Sequence, residues 1–192
     1  MERPPGTRTS LYDTLQLEGV MANMARQAAP LLAGREKVAL VGILRRGAPL
    51  ADRLADALVA RHGLPRPLRL DLAIQRYADD LTLLHPETRL TEDARHAHLD
   101  LTGHTLLVVD DVLYSGHSLL RAVEYLARKQ PAEIRVAVLA DRCVARLPLV
   151  ADVVGVRLQV APPDVVECNV PPYEPGFRIE LLQLDQGPGG PP

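Results

Sequence analysis

Apolar residues run almost unbroken at 38–44 (VALVGIL), 106–109 (LLVV) and 136–140 (VAVLA). Such runs suit strands covered on both faces, as in the middle of a parallel sheet. With their flanks they predict strands at 37–44, 104–111 and 133–141. Residues 67–74 (PLRLDLAI) and 151–158 (ADVVGVRL) read as two more, and 163–170 and 177–184 as shorter ones joined by a proline-rich turn. Between them the period changes. Residues 48–63 (APLADRLADALVARHG) place Leu50, Leu54 and Leu58 on one stripe, with Pro49 in the first turn and Gly63 at the close. Residues 117–129 read as a second helix, and 9–32 as a third, with Leu15, Val20, Met24, Ala28 and Leu31 as its apolar positions. Strands alternating with helices predict an α/β fold, a mostly parallel central sheet flanked by helices.

Residues 1–10 read as a flexible N-terminal arm and 186–192, ending in GPGGPP, as a disordered tail, leaving one domain over 11–185. Residues 75–103 are rich in charge and poor in period, which inside a compact domain marks a functional or disordered segment. A hydrophobic content of 47% and a formal charge of −2 describe an ordinary globular chain with no global pull towards nucleic acid. Cys143 and Cys168 lack the spacing of a zinc site or a disulfide framework and read as free thiols. The N-terminus lacks the apolar centre of a signal peptide, and no apolar run reaches membrane-spanning length, so a cytoplasmic protein with no membrane partner is expected.

The chemistry concentrates in LLVVDDVLYSGHSLLRAVEYL, residues 106–126. Ligands of open α/β sheets bind outside the C-terminal strand ends. Asp110 and Asp111 fall at such an end, and the backbone N–H groups from Ser115 to Ser118 fall at the start of the next helix, where an anion is favoured. The hydroxyls of Ser115 and Ser118 add donors, and Gly116 permits close approach. The loop suits a monophosphate. The aspartates suit sugar hydroxyls, directly or through magnesium. A ribose 5-phosphate satisfies both halves. The structural alternative is Ser115 as an N-cap with two exposed aspartates in a tight turn. No Gly-Lys-Ser/Thr follows and GxGxxG is absent, so neither a Walker loop nor a dinucleotide fingerprint is present.

The segment VVDDVLYSGHSL, residues 108–119, resembles the phosphoribosyl-pyrophosphate-binding motif of type I phosphoribosyltransferases. Its Asp-Asp-Val-Leu-Tyr form is most similar to the pyrimidine-operon attenuator/uracil phosphoribosyltransferase family. Matches at 39–55 (ALVGILRRGAPLADRLA), 79–82 (DDLT) and 141–156 (DRCVARLPLVADVVGV) follow in the same order, so the resemblance spans residues 38–158. It implies the type I fold with a small hood and a mobile flap over residues 75–100. It also implies transfer of ribose 5-phosphate from phosphoribosyl pyrophosphate to a nucleobase, uracil by inheritance, with Mg2+ as cofactor. By position, Asp110 and Asp111 would hold the ribose diol and the metal. Val112, Leu113 and Tyr114 would lead into Ser115, Gly116, His117 and Ser118 around the 5-phosphate. Leu44, Arg45, Arg46 and Gly47 would form the pyrophosphate loop, Arg76 of the flap would reach pyrophosphate as a catalytic group, and Asp141 and Arg142 would stand on the base side. An arginine fork with backbone N–H groups suits a leaving group on which charge develops. A closing lid would keep water from an oxocarbenium-like sugar.

The chain departs from that family in places. Ser-Gly-His-Ser stands where the family usually has Thr-Gly-Arg-Thr, so His117 replaces a permanent charge with a titratable one. In QRYADD the order of Tyr77 and Arg76 is exchanged. After Asp141 and Arg142, the residues Cys143, Val144, Ala145 and Val150 occupy positions that are usually glycine or polar. That family also binds messenger RNA. Here the first helix offers Arg26 and little else, so RNA is not the expected partner; contact with it would run through Arg142, Arg146 and Arg157. A regulator that senses nucleotide without turnover is the alternative to the enzyme. A homodimer joined through the apolar first helix is expected.

Overall fold

The structure is a computed structural model that describes residues 6–74, 76–77, 83–85, 89–91, 99–161 and 164–184, with backbone alone described between 76 and 91. In chain order the elements are β1 (Gly6–Tyr12), α1 (Thr14–Leu32), β2 (Val38–Ile43), α2 (Gly47–His62), β3 (Leu68–Ala73), β4 (Arg76–Tyr77), β5 (Leu83–His85) and β6 (Arg89–Thr91). Then follow β7 (Thr105–Leu113), α3 (His117–Ala127), β8 (Glu133–Asp141), β9 (Val153–Arg157), β10 (Val165–Asn169) and β11 (Arg178–Leu184).

The central sheet has the order β6-β3-β2-β7-β8-β9; β3, β2, β7, β8 and β9 are parallel, and β6 is an antiparallel edge. The apolar runs occupy its middle because helices cover both faces. On one face Leu107 and Val109 of β7 pack with Leu17, Met24 and Ala28 of α1 and Leu50, Leu54 and Leu58 of α2. On the other, Leu106 and Val108 pack with Leu119, Ala122 and Leu126 of α3. The period of two along β7 thus sorts its side chains between two separate cores. A second sheet, the hood (β1-β11-β10), is wholly antiparallel and lies on the α1–α2 side, where Cys168 and Ile179 join the first core.

Three expectations are corrected. The arm expected over residues 1–10 is strand β1 from Gly6 onward, because β11 offers it an edge and Arg8 pairs with Glu167 of β10 at 2.8 Å. The first helix therefore begins at Thr14, not Thr9, and a capping box between Asp13 and Gln16 fixes that start. Its buried face is Leu17, Met21, Met24, Ala25, Ala28 and Leu32; Met24 and Ala28 belong to it, but Leu15 is 82% exposed. That face is spent on the chain's own core, which removes it as the contact between copies. Residues 75–98 of the expected flap lie outside those whose side chains are described, as does the expected tail.

Gly42 shows how closely the backbone is packed where β2 turns into α2. A Cβ on Gly42 would lie 2.5 Å from the Ala48 Cα, whereas one on exposed Gly19 of α1 would meet nothing within 4 Å. Gly42→Ala should lower unfolding stability by roughly 1–3 kcal/mol through overpacking. Gly19→Ala should raise it by about 1 kcal/mol, because alanine costs less backbone entropy in a helix. Chemical denaturation of the two variants beside the parent checks both signs.

Candidate active site

The site begins with a mismatch in strand length. β2 pairs with β7 only as far as Gly42 opposite Val109, while β8 stays paired with β7 through Leu113 opposite Asp141. From Asp110 onward β7 therefore has an open edge on its β2 side. The turn Leu44–Gly47 fills the approach to it. Gly47 sits so close that a Cβ there would fall 2.3 Å from the Val109 carbonyl oxygen and 3.2 Å from the Asp110 Cα. The Leu44 N–H donates to the Leu72 carbonyl at 2.9 Å, and the Leu44–Arg45 peptide bond is cis. The acid pair, expected to end the strand, thus lies inside it, at the point where one neighbour stops.

Alternation sends the two carboxylates to different neighbours. Asp110, 6% exposed, lines a cavity of about 150 Å³ together with Val112, Leu113, Tyr114, Ser115, Gly116 and Ser118. Asp111 faces the other way: its Oδ2 lies 3.5 Å from Arg46 Nη1, and its Oδ1 accepts the Val112 N–H at 3.0 Å. Leu113 is buried in the second core, and its carbonyl accepts the Arg142 N–H at 3.1 Å. The structure brings Asp110 together with the Ser115–Ser118 loop, and Asp111 together with the Leu44–Gly47 loop.

Both loops end in helix starts without a side-chain cap. α2 has Arg46 as its N-cap residue and α3 has Gly116, and neither carries a side-chain capping hydrogen bond. Gly116 takes φ +89°, a conformation that glycine alone adopts without strain. Ser115 is not the N-cap: its Oγ lies 2.9 Å from Nδ1 of exposed His117. The capping alternative read from the sequence is thereby set aside, and the first-turn N–H groups of both helices stay clear of competing side chains. Leu147 and Leu149 lie over Gly116, and the Arg146 N–H donates to the Ser115 carbonyl at 3.2 Å. The 143–150 segment, read as the base side, therefore packs against the phosphate-type loop. Asp141 accepts the Cys143 N–H at 2.8 Å. Arg142 is 4% exposed, stacked over Tyr114 at 4.9 Å, and donates to the Ala161 carbonyl at 3.3 Å. Such burial withdraws it from any surface contact with RNA; Arg146 and Arg157 are exposed. The side chain of Arg76 and the DDLT run lie outside the described residues.

Three residues that the sequence did not single out complete the site. The turn after β10 carries Tyr173 and Glu174 over the Leu44–Gly47 loop. Glu174 Oε1 accepts from Arg46 Nη2 at 2.7 Å and Nε at 3.1 Å, its Oε2 accepts the Val170 N–H at 2.9 Å, and Arg45 lies 5.0 Å from the Tyr173 ring centroid. Buried Cys168 donates from Sγ to the Asp111 carbonyl at 3.9 Å. Desolvation, then the Asp111 charge, pushes its thiol well above the ordinary range, so it is a packed hydrogen-bond donor and not a nucleophile. No local period links positions 128 residues apart, as Arg46 and Glu174 are.

Among the described residues no cluster of three metal-ligating side chains exists. Asp110 beside the cavity and Asp111 on the loop side face different ways, so each fits magnesium singly, since that ion can take one carboxylate and complete its shell with water and substrate phosphates.

Burial works against ionisation of Glu174, but the Arg46 hydrogen bonds and the Val170 N–H outweigh it and hold the carboxyl below its ordinary value of 4.5. A carboxyl depressed in the folded state contributes stability above its unfolded pKa, and loses it as pH falls through the folded one. The parent should therefore lose unfolding free energy more steeply below pH 4.5 than Glu174→Gln does. Parallel slopes in denaturant titrations across that range would refute the tether.

The model of the phosphoribosyl transferase domain family matches residues 7–175. A protein of Thermus thermophilus named "Bifunctional protein PyrR" is 34% identical over 181 residues, covering 93% of this chain and 97% of that one. Its namesake in Caldicellulosiruptor bescii is 32% identical over 179 residues, 92% and 96% of the two chains. The hypoxanthine phosphoribosyltransferase of Trypanosoma cruzi, solved in complex with its product IMP, superposes with a TM-score of 0.71 at 17% identity, covering 95% of this chain and 94% of that one. The parallel sheet and both uncapped loops fall within the matched residues, and the chain belongs to the phosphoribosyl transferase domain family.

Proposed function

We propose that this protein transfers the ribose 5-phosphate unit of phosphoribosyl pyrophosphate to uracil and releases pyrophosphate. One observation carries the reading: two helices begin without side-chain caps on either side of an adjacent acid pair, in a chain that caps its first helix fully. Bare helix starts favour anions and carboxylates favour hydroxyls, so phosphate groups at each end and a diol between them match the pattern. In this reading Ser115, Gly116, His117 and Ser118 hold the 5-phosphate, and Asp110 and Asp111 hold the ribose hydroxyls. Arg45, Arg46 and the N–H groups entering α2 hold the pyrophosphate, with Arg76 added from the flap.

The chemistry follows from those roles. As the bond to pyrophosphate lengthens, negative charge gathers on the leaving group, and the Arg46 guanidinium stabilises it there. Positive charge gathers on the sugar ring, beside the acid pair. Magnesium held at Asp110 or Asp111 would supply further neutralisation of pyrophosphate. Uracil rests on the likeness of VVDDVLYSGHSL to the attenuator/uracil phosphoribosyltransferase family and on relatives that carry the PyrR name. A homodimer belongs to the same proposal, with exposed Leu15 at the start of α1 as an apolar contact, and so does a cytoplasmic location.

The relatives' printed name, "Bifunctional", favours keeping a second role in view: a regulator that responds to bound nucleotide and contacts RNA through Arg146 and Arg157. A gel shift that weakens as salt is raised and is lost with both arginines replaced by alanine would support it.

Incubation with phosphoribosyl pyrophosphate, magnesium and a panel of bases including uracil and hypoxanthine should release pyrophosphate with uracil alone. Turnover with hypoxanthine in its place would reassign the base, and none with any base would end the enzyme reading. Asp110→Asn and Asp111→Asn should each lower kcat/KM by about 10²-fold or more, as losing a charge opposite the reacting centre does. Rates unchanged in both would remove the pair from the mechanism.

A further inference from the structure

We infer that Glu174 is a positioning residue, a fixed post on the hood that presents Arg46 to the pyrophosphate of the donor substrate. The inference rests on the transferase reading above and adds a residue outside the stretch that carries the family resemblance.

The geometry is that of a clamp with one open edge. Glu174 takes Arg46 by Nε and Nη2 through a single oxygen, at 3.1 and 2.7 Å. Its second oxygen is itself fixed, 2.9 Å from the Val170 N–H. The carboxylate is 11% exposed and so has little freedom to follow the arginine elsewhere. Arg46 is 40% exposed, and its remaining Nη1 edge points to Asp111 at 3.5 Å, a longer and weaker contact. A guanidinium has five N–H donors in a rigid fork. Holding two of them fixes the plane of the other three. The edge left over faces the open side of β7, between the acid pair and the uncapped start of α2.

A long arginine on a short loop would otherwise be costly to use. It has many rotamers, and each substrate would have to immobilise it. It also stands beside Asp111 at 3.5 Å, and Glu174 holds the opposite edge of the same fork. Tyr173, one residue earlier, lies against Arg45 at 5.0 Å, so one turn restrains both arginines of the loop. Preorganisation of this kind lowers the entropic cost of binding, and it holds the same guanidinium against the charge that develops on the leaving group.

Both effects define the test. Glu174→Ala should raise KM for phosphoribosyl pyrophosphate roughly tenfold, the loss of a charge-assisted hydrogen bond, and lower kcat as well. KM for the base should not move. Glu174→Gln keeps an acceptor for Arg46 and should fall between. In an Arg46→Lys background the alanine substitution should have almost no further effect, because no fork remains to be held. Glu18→Ala, which breaks an exposed ion pair with Arg53, serves as the control for a merely structural loss. Pyrophosphate titrated by calorimetry gives a readout that needs no base. If turnover is absent with every base but Glu174→Ala still weakens pyrophosphate binding, the clamp stands and the enzyme reading falls. An unchanged or lowered KM, an equal loss in the Arg46→Lys background, or a parent that binds no pyrophosphate would each overturn the clamp.

Discussion

The site depends on β7 running four residues beyond its last pairing with β2. A strand paired on both sides has no free edge, and the turn that follows β2 could not reach it. Because the pairing of β2 stops at Gly42 opposite Val109, the chain folds over sharply and lays the start of α2 against β7. Only glycine allows the contact: at Gly47 a Cβ would overlap the Val109 carbonyl, and at Gly42 it would overlap the backbone of α2 itself. Asp110 and Asp111 are the first residues past the mismatch. They become functional candidates because the sheet is open there and its two faces carry different neighbours.

The hood is tied to the rest at several points, and the ties converge on the same loop. Thr14 at the start of α1 donates to the Phe177 carbonyl at 2.9 Å, Arg53 of α2 lies 4.6 Å from the Phe177 ring, and Glu174 holds Arg46. Cys168 adds a buried donor to the carbonyl of Asp111. A sheet made from the two ends of the chain therefore sets the side chains at the C-terminal edge of the central one. The first strand of the hood explains why an apparently loose N-terminus is ordered. Its apolar contacts are confined to Leu11 and Tyr12 at its end, but β11 supplies hydrogen-bond partners along its length and Glu167 supplies a charge for Arg8.

Much of the central layer was legible because burial on both faces leaves few options for a strand. The runs at 38–44, 106–109 and 136–140 became β2, β7 and β8, and the Leu50–Leu54–Leu58 stripe became the buried face of α2. What stayed illegible depends on distance along the chain. Arg8 pairs with a residue 159 positions away and Arg46 with one 128 away, and neither bond leaves a periodic trace. The register of α1 misled for another reason. Leu15 is apolar and correctly spaced, yet the capping box places it in the first turn, where no neighbouring element covers it. Arg142 was legible as a residue of interest but not as a buried one, since stacking on Tyr114 is a tertiary event.

The contrast among the helix starts gives the arrangement its energetic sense. A side-chain cap contributes about 1 kcal/mol, and α1 has the full box while α2 and α3 forgo theirs. Those two starts are also the ones beside the acid pair. Leaving α2 without a side-chain cap lowers the stability of the empty protein by about 1 kcal/mol on that scale, and Gly116 at α3 adds only a few tenths; an anion seated at each start would restore it. The fold is in this sense incomplete without a doubly anionic ligand. The carboxylates between the two starts keep the whole crevice from becoming an indiscriminate anion trap, because an anion without hydroxyls to offer them would meet two negative charges in its path.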